Sequence, residues 1–203
     1  MKVVIITGGI GSGKSTVCTM LKNDYGWPVY NADGRVKELY AEDPTLLSDI
    51  ETALGLELRD DKGVFVPSRL ASRIFSDAHA LQTVEGLVFP VLTDDFARWK
   101  ADNADKEYLV LESATILEKP SLIGLGDYVT VVDAPLPVRV SRTAGRDGVS
   151  HDAVHSRVAM QKLMNAVSEG IVPECVNRVI HNDRDLESLS HQVRDLVKNI
   201  IET

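Results

Sequence analysis

Residues Thr7–Thr16 read TGGIGSGKST, and this stretch decides the fold. It matches the pattern G-x-x-x-x-G-K-[ST] of a phosphate-binding loop, with an additional hydroxyl at Thr16. The apolar, β-branched run Val3–Ile6 precedes the loop and predicts a buried parallel strand. The residues from Val17 to Lys22 can continue as a helix, so the order is strand, glycine-rich loop, helix. This arrangement predicts nucleotide binding.

Each residue type in the loop has a chemical reason to be there. Glycines let the backbone curl until its N–H groups converge on anionic oxygens, and the following helix N-terminus adds about half a positive charge. Lys14 can reach the β- and γ-phosphates, and the Ser15 hydroxyl is placed to ligate Mg²⁺. A glycine-rich turn without a ligand is the alternative, which the Lys-Ser pair after a predicted strand disfavours. The predicted ATP-binding residues of the loop are Gly9, Gly11, Ser12, Gly13, Lys14, Ser15 and Thr16.

Length and charge narrow the class of protein. A chain of 203 residues forms one core, or a core with a small insertion, and a net charge of −8 disfavours a general nucleic-acid surface. The N-terminus runs straight into a strand without a signal-peptide pattern, and no apolar run approaches the ~18 residues of a membrane helix. The two cysteines lack metal-ligand spacing and are expected to be free thiols. We therefore expect a cytoplasmic protein that is a monomer or a weak homo-oligomer.

Further strands alternate with segments of helical character. Parallel strands separated by helices imply an α/β fold, a three-layer sandwich around a parallel central sheet. Apolar residues recur at helical spacing from Leu186 to Ile201 and predict a packed C-terminal helix. The predicted later strands are Trp27–Tyr30, Tyr108–Leu111, Tyr128–Val132 and Val176–Ile180.

Two acidic residues follow predicted strands, where ligands bind in an open parallel sheet. Asp33 lies just after the second strand and could orient an acceptor hydroxyl and take its proton. The alternative is that Asn31 or Asp33 only caps the following helix. Glu112 ends the third strand and could hold Mg²⁺, directly or through water, or it could be a helix cap or a surface carboxylate.

A basic stripe follows the fourth strand. Arg139, Arg142 and Arg146 are spaced i, i+3, i+7 and therefore share one helix face. In an acidic chain with a phosphate loop, this stripe predicts a mobile lid whose arginines neutralise charge during phosphoryl transfer. The alternative is a solvated helix face. We predict a catalytic role for Arg142 and an ATP-binding role for Arg146.

These features predict one kinase domain over residues 1–203. The stretch between the second and third strands is mainly helical and too long for a simple crossover, so it is a candidate subdomain for a second substrate. The predicted parts are a core at about 1–60, 106–138 and 166–203, a helical acceptor-binding insertion at about 61–105, and a lid at about 139–165.

The ensemble of motifs resembles the dephospho-coenzyme A kinase family nearly end to end. The loop has that family's favoured form, and Asn31-Ala32-Asp33 stands where the family has Asp-Ala-Asp. The arginine-rich lid and its Arg-x-x-x-Gln are matched by Arg142, Arg146-Asp147-Gly148, Arg157 and Gln161. The segment Ile180–Asp183 is similar to the family's Ile-x-Asn, which implies an ATP-binding role for Asn182.

The resemblance implies transfer of the γ-phosphoryl group of ATP, with Mg²⁺, to the ribose 3′-hydroxyl of dephospho-coenzyme A. Asp33 matches the family's proposed catalytic base. Three departures concern the acceptor side: Asn31 replaces the first Asp, Phe89 stands where the family often has His, and Pro-Leu-Leu is lost after Glu112.

Two other functions are compatible with a phosphate loop. Another small P-loop kinase, for nucleotides, shikimate or a sugar acid, would carry a different acceptor motif at Asn31–Asp33. A GTPase switch would carry a guanine-reading Asn-Lys-x-Asp, which the sequence lacks.

Overall fold

Five parallel strands form a single sheet in the computed structural model, which describes residues 1–202. The strands are β1 (Lys2–Thr7), β2 (Val29–Asn31), β3 (Tyr108–Glu112), β4 (Tyr128–Asp133) and β5 (Arg178–His181). Their order in the sheet is β2-β3-β1-β4-β5, so β1 is central and the phosphate loop leaves the middle of the sheet. Ile6 of β1 pairs with Glu112 of β3, and Asn31 pairs with Glu112 from the other side. The α/β prediction is confirmed.

Helices cover both faces of the sheet. In chain order they are α1 (Lys14–Tyr25), α2 (Ala32–Glu42), α3 (Pro44–Leu54), α4 (Pro67–Ser76), α5 (Ala78–Asp102), α6 (Pro120–Ile123), α7 (Leu136–Asp147), α8 (His151–Ala159), α9 (Lys162–Ser168) and α10 (Leu186–Glu202). A 3-10 helix, Ile116–Glu118, precedes α6. None of the helices within residues 1–202 is long and apolar enough to cross a membrane.

The main core lies where α1 and α10 pack on the sheet. The inward face of α1, with Val17 and Leu21, and that of α10, with Val193 and Leu196, join apolar side chains of the strands in one buried cluster. The middle of the apolar stripe on α10 and the β-branched runs in the strands are therefore buried as predicted, whereas Leu186 and Ile201 at the two ends of the stripe are exposed. This packing fixes the base of the phosphate loop, because β1 and α1 flank it directly.

The chain divides into two compact units. The core unit comprises Met1–Asn31 and Asn103–Thr203 and holds the sheet. The helical unit comprises Ala32–Asp102 and holds α2–α5. The predicted insertion covers about 61–105, whereas the compact unit begins where β2 ends and so includes α2 and α3. The reason is packing: α2, α3 and α4 each contact the long helix α5.

The helical unit is held together by α5 and one tight turn. Val84, Val88, Leu92 and Phe96 form the buried stripe of α5, and Pro90 lies within the helix between them. The turn lies at Asp60–Gly63, where the Asp60 carboxylate accepts the Val64 N–H at 2.9 Å and Gly63 has a φ of 78°. A bridge between Arg59 and Phe65 closes the turn and leads the chain into α4.

Candidate functional site

The phosphate loop begins α1 with a left-handed turn that only glycine adopts readily. Gly13 is the N-cap of α1 with a φ of 98°, and a Cβ there would also collide with the Asn182 amide. No side chain within residues 1–202 caps α1, and its first turn carries no acidic residue. The helix therefore carries no counter-charge of its own at its positive end, which favours an anion.

A buried arginine braces the loop. Arg139, on α7, is only 2% exposed, and its Nε–H donates to the Ile10 carbonyl at 3.1 Å. Its Nη2 lies 3.4 Å from Oε1 of Gln161, and the same oxygen accepts the Ile10 N–H at 2.9 Å. Gly9 makes room for this guanidinium, because any Cβ at that position would collide with it. Burial lowers the pKa of Arg139, but an arginine remains charged near neutral pH.

A second brace comes from the loop after β5. Asn182 is 7% exposed, its backbone N–H donates to the Asp133 carbonyl at 2.7 Å, and its side-chain amide donates to the Ser12 carbonyl at 2.8 Å. The two braces hold backbone carbonyls at Ile10 and Ser12, so these carbonyls are engaged by protein groups. Holding both carbonyls fixes the direction of the intervening peptide groups, which is the preorganisation that anion binding needs.

Buried hydroxyls surround the loop. Ser12, Thr7 and Thr143 each bury a hydroxyl that has no hydrogen-bond partner in the part of the chain that the structure describes. An unpaired buried hydroxyl costs about 1–3 kcal/mol, so these hydroxyls favour a polar partner at the loop, either a water or a ligand. Thr143 approaches the position of a Cβ on Gly11, which places its hydroxyl against the loop itself.

Glu112 lies at the carboxyl end of β3, beside β1, and is 8% exposed. The Cys18 thiol of α1 donates a hydrogen bond to it, and Lys14 lies near the same thiol. Burial raises the pKa of Cys18, and the negative charge of Glu112 raises it further, so this thiol stays protonated. The Glu112 carboxylate therefore lies near the first turns of α1, where Lys14 supplies an ammonium and Ser15 a hydroxyl.

The three arginines of the predicted stripe have different environments. Arg142 is exposed, its Nη1 lies 3.5 Å from the Asn182 carbonyl, and the same atom lies 4.0 Å from the position of a Cβ on Gly13. Arg146 is one turn further along α7, where its guanidinium pairs with Asp147 (Nε–Oδ1, 2.7 Å). Arg139 differs because it lies in the first turn of α7, next to the sheet, and is buried. The i, i+3, i+7 spacing shows that residues share a helix face. It does not show that they share an environment, because each residue also rises about 1.5 Å along the helix axis.

Asp147 connects the lid arginines. Besides Arg146, it accepts from Arg157 of α8 (Nη1–Oδ2, 3.2 Å). The hydrogen bond from Arg146 lowers the pKa of Asp147 and raises that of Arg146. Since Arg146 and Arg157 are about half exposed, this is a surface network.

Asp33 belongs to the helical unit, in the first turn of α2, two residues after β2 ends. Arg35, two positions later, forms a bidentate pair with Asp95 of α5, at 2.9 Å for Nε–Oδ2 and 3.1 Å for Nη2–Oδ1. It also contacts Glu38 and Glu42 of its own helix. This pair fixes the first turn of α2 on α5 and so restrains the position of Asp33 within the helical unit.

The core unit brings together most of the predicted site. Most predicted site residues lie at or beside the carboxyl edge of the sheet, namely the loop Gly9–Thr16 together with Glu112, Arg142 and Asn182. Arg146, by contrast, lies at the far end of α7. The bracing role of Arg139 and Gln161 was not predicted. The only sequence signal was Gln161 itself, at the end of the Arg-x-x-x-Gln motif.

Comparisons with known proteins agree with this geometry. A family model described as dephospho-CoA kinase matches residues 2–188. Dephospho-CoA kinase from Porphyromonas gingivalis is 34% identical over 197 residues, covering 91% of this chain and 95% of that protein. The solved structure of TT1252 from Thermus thermophilus has a TM-score of 0.80 at 25% identity, covering 98% and 97% of the two chains. Dephospho-CoA kinase from Campylobacter jejuni has the same fold, with a TM-score of 0.66 at 20% identity and coverage of 98% and 96%.

Proposed function

The chain belongs to the dephospho-CoA kinase family, and we propose from its site how it carries out that family's reaction. The reaction is the ATP-dependent phosphorylation of dephospho-coenzyme A, the last step of coenzyme A biosynthesis. The observation that carries the assignment is the family match over residues 2–188 together with a braced phosphate loop at the head of α1. In our proposal the acceptor atom is the ribose 3′-hydroxyl.

ATP binds with its phosphates in the loop. The backbone N–H groups of the loop and the uncapped start of α1 surround the β- and γ-phosphates, and Lys14 places its charge between them. Arg142 lies close enough to Gly13 to contact the same phosphates, and Arg146 reaches them when the far end of α7 moves with α8 as a lid. In this proposal Asn182 serves ATP binding through its hold on the Ser12 carbonyl.

The residues at the start of α1 suit a magnesium ion. Mg²⁺ prefers oxygen ligands and keeps several waters, and kinases supply the rest from one or two carboxylates and the nucleotide phosphates. The exposed hydroxyl of Ser15 and the carboxylate of Glu112 provide this chemistry. When bound, the ion neutralises charge on the transferring phosphoryl group.

Asp33 acts on the acceptor. Its carboxylate orients the hydroxyl and accepts its proton as the hydroxyl oxygen bonds to the γ-phosphorus. The bond from the γ-phosphorus to the bridging oxygen breaks at the same time, and ADP leaves with that oxygen. Lys14 and Arg142 stabilise the charge that develops on the transferring group.

The reaction uses two small molecules and invokes neither nucleic acid nor a membrane. Consumption of ATP and two cysteines without a disulfide, Cys18 and Cys175, fit a cytoplasmic site of action for a monomer or a weak homo-oligomer.

An acceptor panel tests the function. ADP release is measured with dephospho-coenzyme A, nucleoside monophosphates, shikimate and a sugar acid, with and without excess chelator. We expect turnover with dephospho-coenzyme A far above the others, and loss of turnover when Mg²⁺ is removed. Preference for another acceptor would reassign the chain within the P-loop kinases, and ATP binding without any transfer would favour a nucleotide-dependent switch.

A further inference from the structure

The tip of the phosphate loop is a tight turn formed by Gly9–Ser12. The Ser12 N–H donates to the Gly9 carbonyl at 3.0 Å, and Gly11, the third residue of the turn, has a φ of 76°. A positive φ at the third position, after a residue whose φ is not positive, is the pattern of a type II turn. Type I and type II turns differ by a flip of their middle peptide group, which here joins Ile10 to Gly11. Because glycine adopts either form, the turn alone does not fix the orientation of this peptide.

Arg139 holds the middle peptide from one side. Its Nε–H donates to the Ile10 carbonyl at 3.1 Å, and its side chain is buried. Because a trans peptide directs its carbonyl and its N–H in opposite directions, the Gly11 N–H points away from Arg139. A flip of the peptide would take the carbonyl away from a buried, charged donor, which is costlier than losing a neutral hydrogen bond.

Gln161 lies at the junction of α8 and α9 and holds the preceding peptide of the loop. Its Oε1 accepts the Ile10 N–H at 2.9 Å and lies 3.4 Å from Nη2 of Arg139, so one oxygen joins the loop to the arginine. Its Nε2 donates to the Ala114 carbonyl at 3.2 Å, which keeps Oε1 turned towards the loop. With the Ile10 N–H held there, the Gly9 carbonyl of the same peptide points the other way, into the hydrogen bond that closes the turn.

The side chain of Ile10 provides a third attachment. It packs against a small apolar cluster in which Val140 of α7 meets Val154 and Val158 of α8. The N–H, the carbonyl and the side chain of Ile10 are therefore all held by α7, α8 and the junction that follows α8. These segments belong to the predicted lid, so a single loop residue connects the lid to the phosphate loop.

We propose that Gln161 is a positioning residue, which locks the middle peptide of the loop turn and transmits the position of the lid to the bound phosphates. The proposal rests on the proposed function, because it takes the loop as the site of the ATP phosphates. Gln161 acts through Ile10 and Arg139 rather than by touching a substrate. A loop whose middle peptide can flip presents its N–H groups correctly in only a fraction of molecules, and the apparent affinity falls by that fraction.

Two substitutions of Gln161 separate its acceptor oxygen from its volume. Gln161→Met keeps a similar length but removes Oε1, so we expect the dissociation constant of ATP to rise by roughly ten-fold while KM for dephospho-coenzyme A stays within two-fold. Gln161→Glu keeps an acceptor beside Arg139 and should stay within roughly three-fold of wild type.

Asn165→Leu is the matched control. It removes an amide one turn further along α9, which donates to the Val158 carbonyl at 2.9 Å rather than to the loop. Its dissociation constant for ATP should stay within two-fold of wild type. An unchanged ATP affinity in folded Gln161→Met, or an equal loss in Asn165→Leu, overturns the proposal.

Amide NMR gives a readout that a loss of stability alone would not move. In isotope-labelled wild type, the Gly11 N–H should give a single sharp signal. In Gln161→Met the freed peptide should show exchange on the microsecond-to-millisecond timescale at Gly11, measured by relaxation dispersion. Gln161→Glu and Asn165→Leu should show no such exchange. Gly11 signals that are equally sharp in wild type and Gln161→Met contradict the lock.

Hydrogen exchange of the unaltered protein keeps the proposal testable if Gln161→Met does not fold. The Ile10 N–H is bonded to a buried acceptor, so it should exchange slowly both with and without ATP. Rapid exchange of the Ile10 amide without ATP overturns the proposal. Wild-type protein that phosphorylates dephospho-coenzyme A but fails these tests refutes the positioning role alone, whereas wild-type protein that does not bind ATP refutes the proposed function.

Discussion

The phosphate loop and the cavity of the helical unit are built in opposite ways. The loop is surrounded by buried polar groups that fix its backbone: Arg139 and Gln161 hold Ile10, and Asn182 holds Ser12. The cavity is a largely apolar space of about 680 Å³ among α2, α3 and α4, with its hydrogen-bonding groups at the edge.

The difference follows from what each region would bind. A phosphate needs donors already aimed at it, because aligning dipoles during the reaction would cost free energy. An apolar space offers surface to cover and imposes little direction. Substitutions near the loop should therefore change rates more steeply than those around the cavity.

The largest expected effect is that of Lys14→Ala. In the proposed site the Lys14 ammonium lies between the β- and γ-phosphates, so its removal should weaken ATP binding and transition-state stabilisation together, and kcat/KM should fall by more than about 10⁴-fold. Lys22→Ala, at the exposed end of the same helix, is the control and should stay within two-fold. Near-normal turnover in a folded Lys14→Ala protein would contradict the proposed role of Lys14 in the phosphate loop.

Asp33→Asn separates the acceptor side from the nucleotide side. The amide cannot take the proton, so kcat should fall by about 10²–10⁴-fold while the dissociation constant of ATP stays near wild type. Titration calorimetry measures the dissociation constant of ATP, and steady-state kinetics measures kcat. Lost ATP binding with a surviving kcat would make Asp33 a structural or metal-binding residue instead.

Arg142→Ala tests the exposed part of the arginine stripe. Turnover should fall by about 10²-fold through the loss of one charged donor, while the free energy of unfolding changes by about 0.5 kcal/mol or less. Arg142→Lys should not restore turnover fully, because a point charge does not replace the planar guanidinium. A sharp fall in the thermal midpoint with full activity per folded molecule would assign Arg142 to stability.

Arg139→Met sharpens the contrast on the same helix. It keeps much of the volume but removes the donor to Ile10, so we expect a loss of about 1–3 kcal/mol in unfolding free energy and roughly ten-fold weaker ATP binding. Arg146→Met is the matched control and should cost about 0.5 kcal/mol or less. Equal effects on stability would mean that burial does not distinguish the two arginines.

The smallest effect is expected from Asp147→Asn, which removes the acidic centre of the lid network. Because Arg146 holds the pKa of Asp147 below its ordinary value, the carboxylate stabilises the fold at pH above the unfolded pKa of about 3.9, and this contribution fades as pH falls through the folded pKa. Wild type and variant should therefore differ slightly in thermal midpoint at pH 7 and converge once the pH lies below the folded pKa of Asp147. A difference that grows on acidification would contradict this.

The sequence predicted the core unit well because its signals are local. Position 13 needs glycine because its backbone is left-handed, and the glycine is visible in the loop motif. The strands are apolar runs, and α10 carries apolar residues at helical spacing. The α/β fold and the family were accessible from these residues. The prediction grouped Arg139 with Arg142 and Arg146, because residue spacing gives only the angle around a helix. It could not show that Arg139 is buried and the other two are exposed.

The sequence by itself determined the phosphate loop and the parallel sheet, because those depend on residue type and spacing within a short stretch, and the roles of Lys14, Asp33 and Arg142 stay predictions. Only the tertiary structure decided that Arg139 is buried against Ile10, and that α2, α3 and α4 leave a cavity beside Lys37. Both outcomes depend on surfaces that meet from positions far apart in the chain: 129 residues separate Ile10 from Arg139. Burial and cavities depend on contacts between segments that are distant in the sequence, so no local sequence pattern predicts them.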